Sequence, residues 1–320
     1  MNSTPAKSSN IAAAEVSNAA KALRDGNLII LPTETVYGLG ADATNGKAVA
    51  RIFEMKGRPQ FNPLIAHILD LEMAKSLANF DPVSEKLAKK FWPGPLTLVL
   101  PILEGRKISE LVTAGLGTIA MRAPRHPIAR AVLREFNKPI AAPSANVSGK
   151  LSPTNLADVS EKLSGHVDVA LDGGPCTVGL ESTIIMVRDN TPYLLREGGL
   201  SREKLERFLG QDFSEETEAE TPASPGQLLA HYAPTASIRI GIEQKDSNHV
   251  HIGFGDGVCD LNLSPSGDLV EAAANLFAHL HKADTLVSER NYSGITVSPV
   301  PDIDLGRAIN DRLKRAVNDS

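Results

Sequence analysis

At 320 residues the chain is too long for one compact domain of ordinary size and too short for three, so two are expected. Hydrophobic residues make up 42% and charged ones 22%, a globular balance with enough apolar material to offset chain entropy, which excludes global disorder. With 33 Lys and Arg against 38 Asp and Glu, the net charge of -5 excludes a bulk positive field, so any hold on nucleic acid needs a local patch.

Taken in chain order, residues 11–25 place Ile11, Ala12, Val16, Ala19, Ala20 and Leu23 on one helical face, with Gly26 where a C′ glycine belongs. A strand is predicted over 28–31, a helix over 47–56 closed by Gly57, an apolar run over 64–68, and a helix over 82–91 with Asp81 at its N-cap. Short buried strands are predicted over 96–100, 118–121, 140–142, 167–171 and 182–187. Apolar strands interleaved with helices predict a layered α/β domain. Its sheet is expected to be mixed, because only a Gly-rich, non-helical stretch separates 96–100 from 118–121. Residues 211–224 hold five acids, no base and one large apolar side chain, Phe213, the composition of a solvated linker. Strands over 238–242 and 250–254 and helices over 271–282 and 304–317 then predict a second, smaller α/β unit. The expected division is a first domain over 11–210, a linker over 211–236 and a small domain over 237–320.

Five polar loops fall at predicted strand ends, where α/β sheets bind ligands. The densest is PTETVYGLG, 32–40, whose Thr33, Glu34, Thr35 and Tyr37 are costly beside a core unless hydrogen-bonded. Such a loop is either a turn network or a binding site. In KGRPQFNPL, 56–64, Lys56 and Arg58 follow a helix and offer a point charge and a planar fork to a polyphosphate, with prolines stiffening the loop that carries Arg58 and Asn62. The alternative for Lys56 is a solvated cation at a helix C-terminus. His67 lies in the apolar run that follows and is either a satisfied core histidine or part of the same strand edge. Arg122 and Arg125 stand in TIAMRAPRHP; AAPSANVSG, 141–149, is a small-residue loop that lets backbone approach a ligand; GLESTII, 179–185, carries Ser182, and LLREGG carries Arg196.

Read together, PTETVYGLGADA, KGRPQFNPLIAH, FWPGPLTLVL, MRAPRHP, APSANVSG and GLESTII closely resemble the YrdC-like family in order and spacing over nearly all of 11–210. The motif SPGQLLAHYAP, 224–234, with a small C-terminal α/β unit, resembles the two-domain, Sua-type L-threonylcarbamoyladenylate synthases. That resemblance implies a twisted mixed sheet and an enzyme joining L-threonine, bicarbonate and ATP into threonylcarbamoyl-AMP and pyrophosphate. It implies ATP contacts at Lys56, Arg58, Asn62, Thr118, Ser144, Asn146, Ser152, Arg196 and Tyr232, with Lys56 and Arg58 catalytic. It implies L-threonine contacts at Thr35, His67, Arg122, Ala142 and Ser182, and Mg²⁺ bridging the phosphates. A TsaD-type transferase then moves the threonylcarbamoyl group to tRNA, which this chain meets only indirectly. Leu228 stands where related proteins often carry a lysine. Residues 225–234 are expected to fold over the nucleotide as a lid, or else to be a hydrophobic tether.

Two other functions are weighed against this one. An RNA-binding module would use Lys56, Arg58, Arg122 and Arg125 as a phosphate track, against an aromatic content of only 4%. A nicotinamide-dependent oxidoreductase would rest on Gly38, Gly40 and Ala43 as GxGxxA, which here lacks the helix start and the acid that the fingerprint needs. No GxSxG elbow, HExxH or GxxxxGK[ST] occurs. The two cysteines, Cys176 and Cys259, suggest neither a disulfide framework nor a metal site. With no apolar leader and no run of ~18 apolar residues, the chain is expected in the reducing cytoplasm, away from membranes.

Overall fold

The computed structural model describes residues 13–214 and 232–317. In the first part, β1 (Ile29–Leu31), β2 (Gly38–Asp42), β3 (Ile65–His67), β4 (Leu96–Pro101), β5 (Thr118–Arg122), β6 (Ile140–Ala141), β7 (Val169–Ala170), β8 (Thr183–Arg188) and β9 (Thr191–Arg196) form one sheet of order β7-β1-β2-β6-β3-β5-β4-β8-β9. The sheet is mixed: β3 and β5, β4 and β8, and β1 and β7 run parallel, and the other pairs antiparallel. The β4–β5 connection contains one helical turn, Glu110–Thr113, which the sequence reading did not anticipate, yet the two strands are antiparallel as expected.

Capping residues mark the helices. Asn45 accepts from the Lys47 and Ala48 amides to open Gly46–Lys56, and Gly57 closes it in the left-handed region at φ 61°, a conformation cheap only for glycine. Asp81 accepts from Val83 and Ser84 to open Pro82–Phe91, with Pro82 in the first turn, where its missing N–H costs nothing. These two helices cover one face of the sheet, packing against Ala66, Met121, Leu98 and Ile185. Helices Ala13–Arg24 and Pro127–Phe136 cover part of the other face, over Ile29, Leu31, Ile140 and Ala142.

Part of the expected ligand loop is strand. Gly38 and Gly40 lie in β2 and are glycines for interstrand packing: a Cβ on Gly40 meets Ile29 and Ile140 side-chain atoms at 3.1 and 3.2 Å, and one on Gly38 meets Ala142 Cβ at 3.2 Å. The dinucleotide reading is corrected accordingly, since GLGAD is an antiparallel strand between β1 and β6 and not a strand-to-helix turn.

The C-terminal part is a parallel sheet of β10 (Ile238–Ile240), β11 (His249–Gly253), β12 (Leu261–Asn262) and β13 (Gly294–Val297), in the order β10-β13-β11-β12. Helices Leu269–Arg290 and Leu305–Val317 pack on it. The first of these is a good deal longer than expected; it runs on until Asn291 caps it in the left-handed region. The core of this unit is continuous with Val36, Leu151 and Leu180 of the first domain, so the small unit is seated on the region that carries the polar loops.

Candidate active site

Cross-strand register assembles the site. Parallel pairing sets His67 beside Arg122 and Ile65 beside Ala120, on the sheet face opposite the core residues Ala66 and Met121, because strand side chains alternate. The β8–β9 register sets Arg196 beside Ile184, which brings it next to Ser182 at the entry to β8. These elements form one cleft. Thr35, His67, Arg122, Ala142 and Ser182, the whole expected threonine set, line it. So do Arg58, Ser144, Arg196 and Tyr232 of the expected nucleotide set.

The PTETVYG loop is a turn network that also lines the cleft. The Thr33 hydroxyl donates to the Val36 carbonyl at 2.6 Å and accepts from the Thr35 and Val36 amides, a local turn network that presents Thr33 and Thr35 to the cleft. Behind it, the Tyr37 hydroxyl donates to the Gly174 carbonyl at 2.7 Å. Arg122 Nη1 donates to Thr35 Oγ1 at 2.7 Å, Nε donates to the Gly94 carbonyl at 3.1 Å, and Nη2 lies 2.7 Å from Glu34 Oε1. The Arg122 guanidinium is therefore engaged from within the chain, by Glu34 on one side and Thr35 on the other. Burial would raise the Glu34 carboxyl pKa, but the Arg122 charge and hydrogen bond outweigh it and hold the group below its ordinary value.

His67 is buried, and its Nδ1 has no hydrogen-bond partner among the described residues. Burial and the Arg122 charge pull its pKa down to about 3, so the ring is neutral at physiological pH and acts as a hydrogen-bonding group, not a proton carrier. Ser182 Oγ lies 2.7 Å from Thr97 Oγ1, and Arg196 donates through Nε and Nη2 to the Ser182 carbonyl at 3.1 and 2.8 Å. Gly198, in LLREGG, is required here: a Cβ would come within 2.5 Å of the Glu181 to Thr183 backbone.

Five expected nucleotide residues stand outside the cleft lining. Lys56 is buried one layer behind it, its ammonium donating to the Ser144 carbonyl at 2.6 Å and to the Asn146 carbonyl. The solvated-cation alternative is thereby corrected: the helix ends against the 144–146 loop, not in water. Burial, then the Arg58 charge, pushes the lysine pKa well down, while the oxygens around Nζ favour the ammonium. Asn146 bonds Ser144 Oγ through its side chain and Ser152 donates to Glu181 Oε1 at 2.6 Å, so both brace lining residues. Asn62 uses its carbonyl to hold Arg58 Nε at 3.1 Å, with Pro63 taking Nη2 at 2.8 Å. Thr118 is half-buried at the start of β5, on the same sheet face as Arg122 and at the far end of the strand from it. The lid segment 225–231 lies outside the described residues. Tyr232 is described; it lines the cleft while packing on Phe277 at a ring-centroid separation of 5.5 Å, so this residue joins the site to the small unit's core.

With this geometry in view, the family model described as telomere recombination, for Sua5, YciO and YrdC, matches residues 21–198. The chain belongs to the Sua5, YciO and YrdC family. A second model, the threonylcarbamoyl-AMP synthase C-terminal domain, matches residues 200–317 and shows the two-domain Sua5 form. The chain is similar to the threonylcarbamoyl-AMP synthase of Bacillus subtilis (strain 168), 40% identical over 321 residues that cover 94% of this chain and 92% of that protein. It is similar to the one from Pyrococcus abyssi (strain GE5 / Orsay), 40% identical over 320 residues, 93% of this chain and 92% of that one. The crystal structure of P. abyssi Sua5 complexed with L-threonine aligns at a TM-score of 0.86 and 38% identity, covering 97% of this chain and 96% of that chain. Escherichia coli YciO aligns at 0.54 and 26% identity over 59% of this chain and 91% of its own.

Within this Sua5 form, sequence reasoning passed over Glu181, which lines the cleft beside Ser182, and Arg312, which reaches it from the last described helix. A signal for Arg312 was present. On Leu305–Val317 the apolar seam runs through Leu305, Ala308, Ile309, Leu313 and Ala316, and a charge at 312 falls inside that seam.

Proposed function

We propose that this cleft joins L-threonine, bicarbonate and ATP into threonylcarbamoyl-AMP and pyrophosphate. The observation that carries the reading is the convergence of all five threonine-set residues with Arg58 and Arg196 in one cleft, the buried His67 Nδ1 having no hydrogen-bond partner among the described residues. A buried acceptor or donor in that condition is costly unless a ligand satisfies it. The synthase name of relatives about 40% identical over more than nine-tenths of the chain, and the L-threonine held by P. abyssi Sua5, support it.

The chemistry needs positioning and charge, not a protein nucleophile. The threonine amine forms a C–N bond to bicarbonate with loss of water, or to dissolved carbon dioxide with loss of a proton, to give a carbamate. A carbamate oxygen then attacks the α-phosphorus, a new P–O bond forms, and the bond to the β-phosphate oxygen breaks as pyrophosphate leaves. Arg58 and Arg196 supply fixed positive charge where negative charge builds on phosphate oxygens. Lys56 acts one step removed, by holding the Ser144 and Asn146 carbonyls. Neutral His67, Thr35 and Ser182 orient the threonine; Arg122 fixes Thr35 and contributes positive field. Among the described residues no group of three or more His, Cys, Asp or Glu forms a metal cluster, and the cleft carboxylate Glu181 is taken by Arg312 and Ser152. Mg²⁺ therefore belongs to the reading as part of the substrate, carried in on the ATP phosphates.

The unstable adenylate is handed to a TsaD-type transferase that modifies tRNA, and the work is cytoplasmic. No helix of the described residues is long and apolar enough to cross a membrane. The RNA-track alternative is weakened, because three of its four cations, Lys56, Arg58 and Arg122, are buried and only Arg125 is exposed, whereas a phosphate track needs a run of exposed cations. The deciding experiment is pyrophosphate release with single omissions. Release that requires ATP, threonine and bicarbonate together is expected; orthophosphate as the sole product, or release indifferent to threonine, refutes the reading.

A further inference from the structure

Two hydroxyls in the cleft lining, those of Thr33 and Thr35, lie 2.8 Å apart, and their other partners fix which of them donates. A hydroxyl has one proton and two lone pairs. The Val36 carbonyl can only accept, and it stands 2.6 Å from Thr33 Oγ1, so the single Thr33 proton goes there. The 2.8 Å contact is then a hydrogen bond only if Thr35 is its donor. The amides of Thr35 and Val36 reach the same Thr33 oxygen at 3.2 and 3.3 Å, the weak end of the range, so the short hydroxyl contact takes precedence there.

The Thr35 oxygen is thereby accounted for on every side but one. Its proton is committed to Thr33, and one of its lone pairs accepts Arg122 Nη1 at 2.7 Å. That second bond cannot be reversed, because a guanidinium has no acceptor. Nor can the guanidinium swing away, since the Gly94 carbonyl holds its Nε at 3.1 Å and Glu34 Oε1 lies 2.7 Å from its Nη2. The donors Arg122, Thr35 and Thr33 therefore all point the same way, and the series ends on the Val36 carbonyl. Thr35 is buried and lines the cleft, and among the described residues its hydroxyl has no side-chain partner beyond these two. The position left on Oγ1 is a lone pair. Of the polar groups of L-threonine, the carboxylate can only accept, whereas the amine and the β-hydroxyl can donate.

We propose that Thr33 is a positioning residue for the amino-acid substrate: by taking the Thr35 proton it makes Thr35 a pure acceptor toward the cleft, so that Thr35 receives an N–H or O–H of threonine and turns its carboxylate away. A carboxylate at that oxygen would set two acceptors face to face, and a buried acceptor without a donor is costly. The substrate is thus oriented by the direction in which one buried hydroxyl chain donates. The inference rests on the threonine assignment made under Proposed function, and its test is a binding measurement that does not depend on turnover.

Full-length wild type, Thr33→Val, Thr33→Ser, Thr35→Val and the double variant Thr33→Val with Thr35→Val are titrated calorimetrically with L-threonine and, separately, with Mg-ATP. Two analogues are measured as competitors of threonine: L-α-aminobutyrate, which lacks the β-hydroxyl, and (R)-β-hydroxybutyrate, which lacks the amine. Thr33→Val is expected to weaken threonine binding roughly tenfold, the worth of one buried hydrogen bond, with ATP affinity changed less than about twofold. Thr33→Ser, which restores the hydroxyl, is expected to bind threonine within about threefold of wild type. Because Thr33 acts through Thr35, the double variant is expected to be no more than about twofold weaker than Thr35→Val. One analogue is expected to bind Thr33→Val as well as it binds wild type, and it identifies the donor: α-aminobutyrate if Thr35 accepts the hydroxyl, β-hydroxybutyrate if it accepts the amine. A tenfold loss kept by both analogues overturns the proposal, since the carboxylate is the polar group they share. Wild-type threonine affinity in Thr33→Val, or losses that multiply in the double variant as a purely structural turn would give, also overturn it. If Thr33→Val does not fold, Thr35→Val decides with the same analogues: a loss abolished for one of them supports the proposal, and a loss kept for both overturns it. A wild-type protein that binds threonine but releases no pyrophosphate refutes the synthase reading and leaves this comparison intact.

Discussion

Glu34 and Arg122 form a buried ion pair, with Glu34 Oε1 2.7 Å from Arg122 Nη2 and the side chains 3% and 4% exposed. The pair joins two of the motifs, because Glu34 Oε2 also accepts the Arg125 and His126 amides ahead of helix Pro127–Phe136. Removing one partner of such a pair leaves the other charge buried and uncompensated, a loss of about 3–5 kcal/mol. Glu34→Gln is therefore expected to lower unfolding free energy by that amount in denaturant titrations and to raise the threonine requirement through Thr35. A loss below ~1 kcal/mol would mean that the Arg122 charge finds solvent. Since the folded carboxyl pKa is held below the unfolded value, this stabilisation is present above the ordinary carboxylate range and disappears as the pH falls through the lowered folded value.

The neutral His67 adds a linkage of the same sign over a higher pH window. The unfolded ring binds a proton near its ordinary value of 6.5, whereas the folded ring resists protonation down to about 3. Unfolding therefore takes up a proton in that interval, and stability drops as the pH falls from 6.5 toward 3 while staying flat above it. His67→Gln is expected to make the acid side of the stability profile shallower, and the His67 ring signals are expected not to titrate by NMR between pH 5 and 8. A ring titrating near 6.5 in the folded protein overturns this account.

Arg58 contributes at two levels, since it lines the cleft and bonds the Asn62 and Pro63 carbonyls. Arg58→Ala removes a charge-assisted contact to phosphate worth roughly 1.5–3 kcal/mol, a fall of about ten- to hundredfold in the rate of pyrophosphate release. It also leaves two loop carbonyls without donors, so the melting temperature is expected to drop with it. Normal turnover in a folded variant would remove Arg58 from the phosphate site.

Legibility followed the physical signals. Asp81 followed by Pro82 announces a helix start, and Pro82–Phe91 is found where predicted. β2 was hidden because the strand's evidence is the absence of side chains at Gly38 and Gly40, which reads as a loop until Ile29 and Ile140 are seen pressing on Gly40. Arg202–Leu209 was missed because it buries only Leu205, too little for an apolar period to show. The threonine set was legible as motifs, for loops at strand ends converge. The division between Arg58, which lines the cleft, and Lys56, which stands behind it, was not, because two residues apart at a helix end the same chemistry can face a ligand or a neighbouring loop. Arg312 needed the fold: its partner Glu181 is 131 residues away in sequence.

The last prediction concerns a second carboxylate at the seam between the two units. Burial, then the like charge of Glu203, raises the Glu197 carboxyl to about 7, against the opposing charges of Arg202, Arg307 and Arg312. Glu203 stays ionised, its pKa lowered by hydrogen bonds and by Arg307, whose Nε lies 3.0 Å from it, so the proton goes to Glu197. The folded chain then holds a proton between pH 4.5 and about 7 that the unfolded chain releases. Stability therefore declines as the pH rises through that window, and the penalty is fully developed above it. Glu197→Gln, which cannot ionise, is expected to match wild type at pH 4.5 and to melt higher at pH 8, by a margin on the order of 2–4 °C. The Arg312 bond to the Glu197 backbone carbonyl is left in place by the substitution, so the nucleotide site is not the cause of the difference. Melting curves of both proteins at pH 4.5, 6 and 8 decide it: parallel curves at all three values would show that Glu197 ionises at its ordinary pKa and that the seam is open to water.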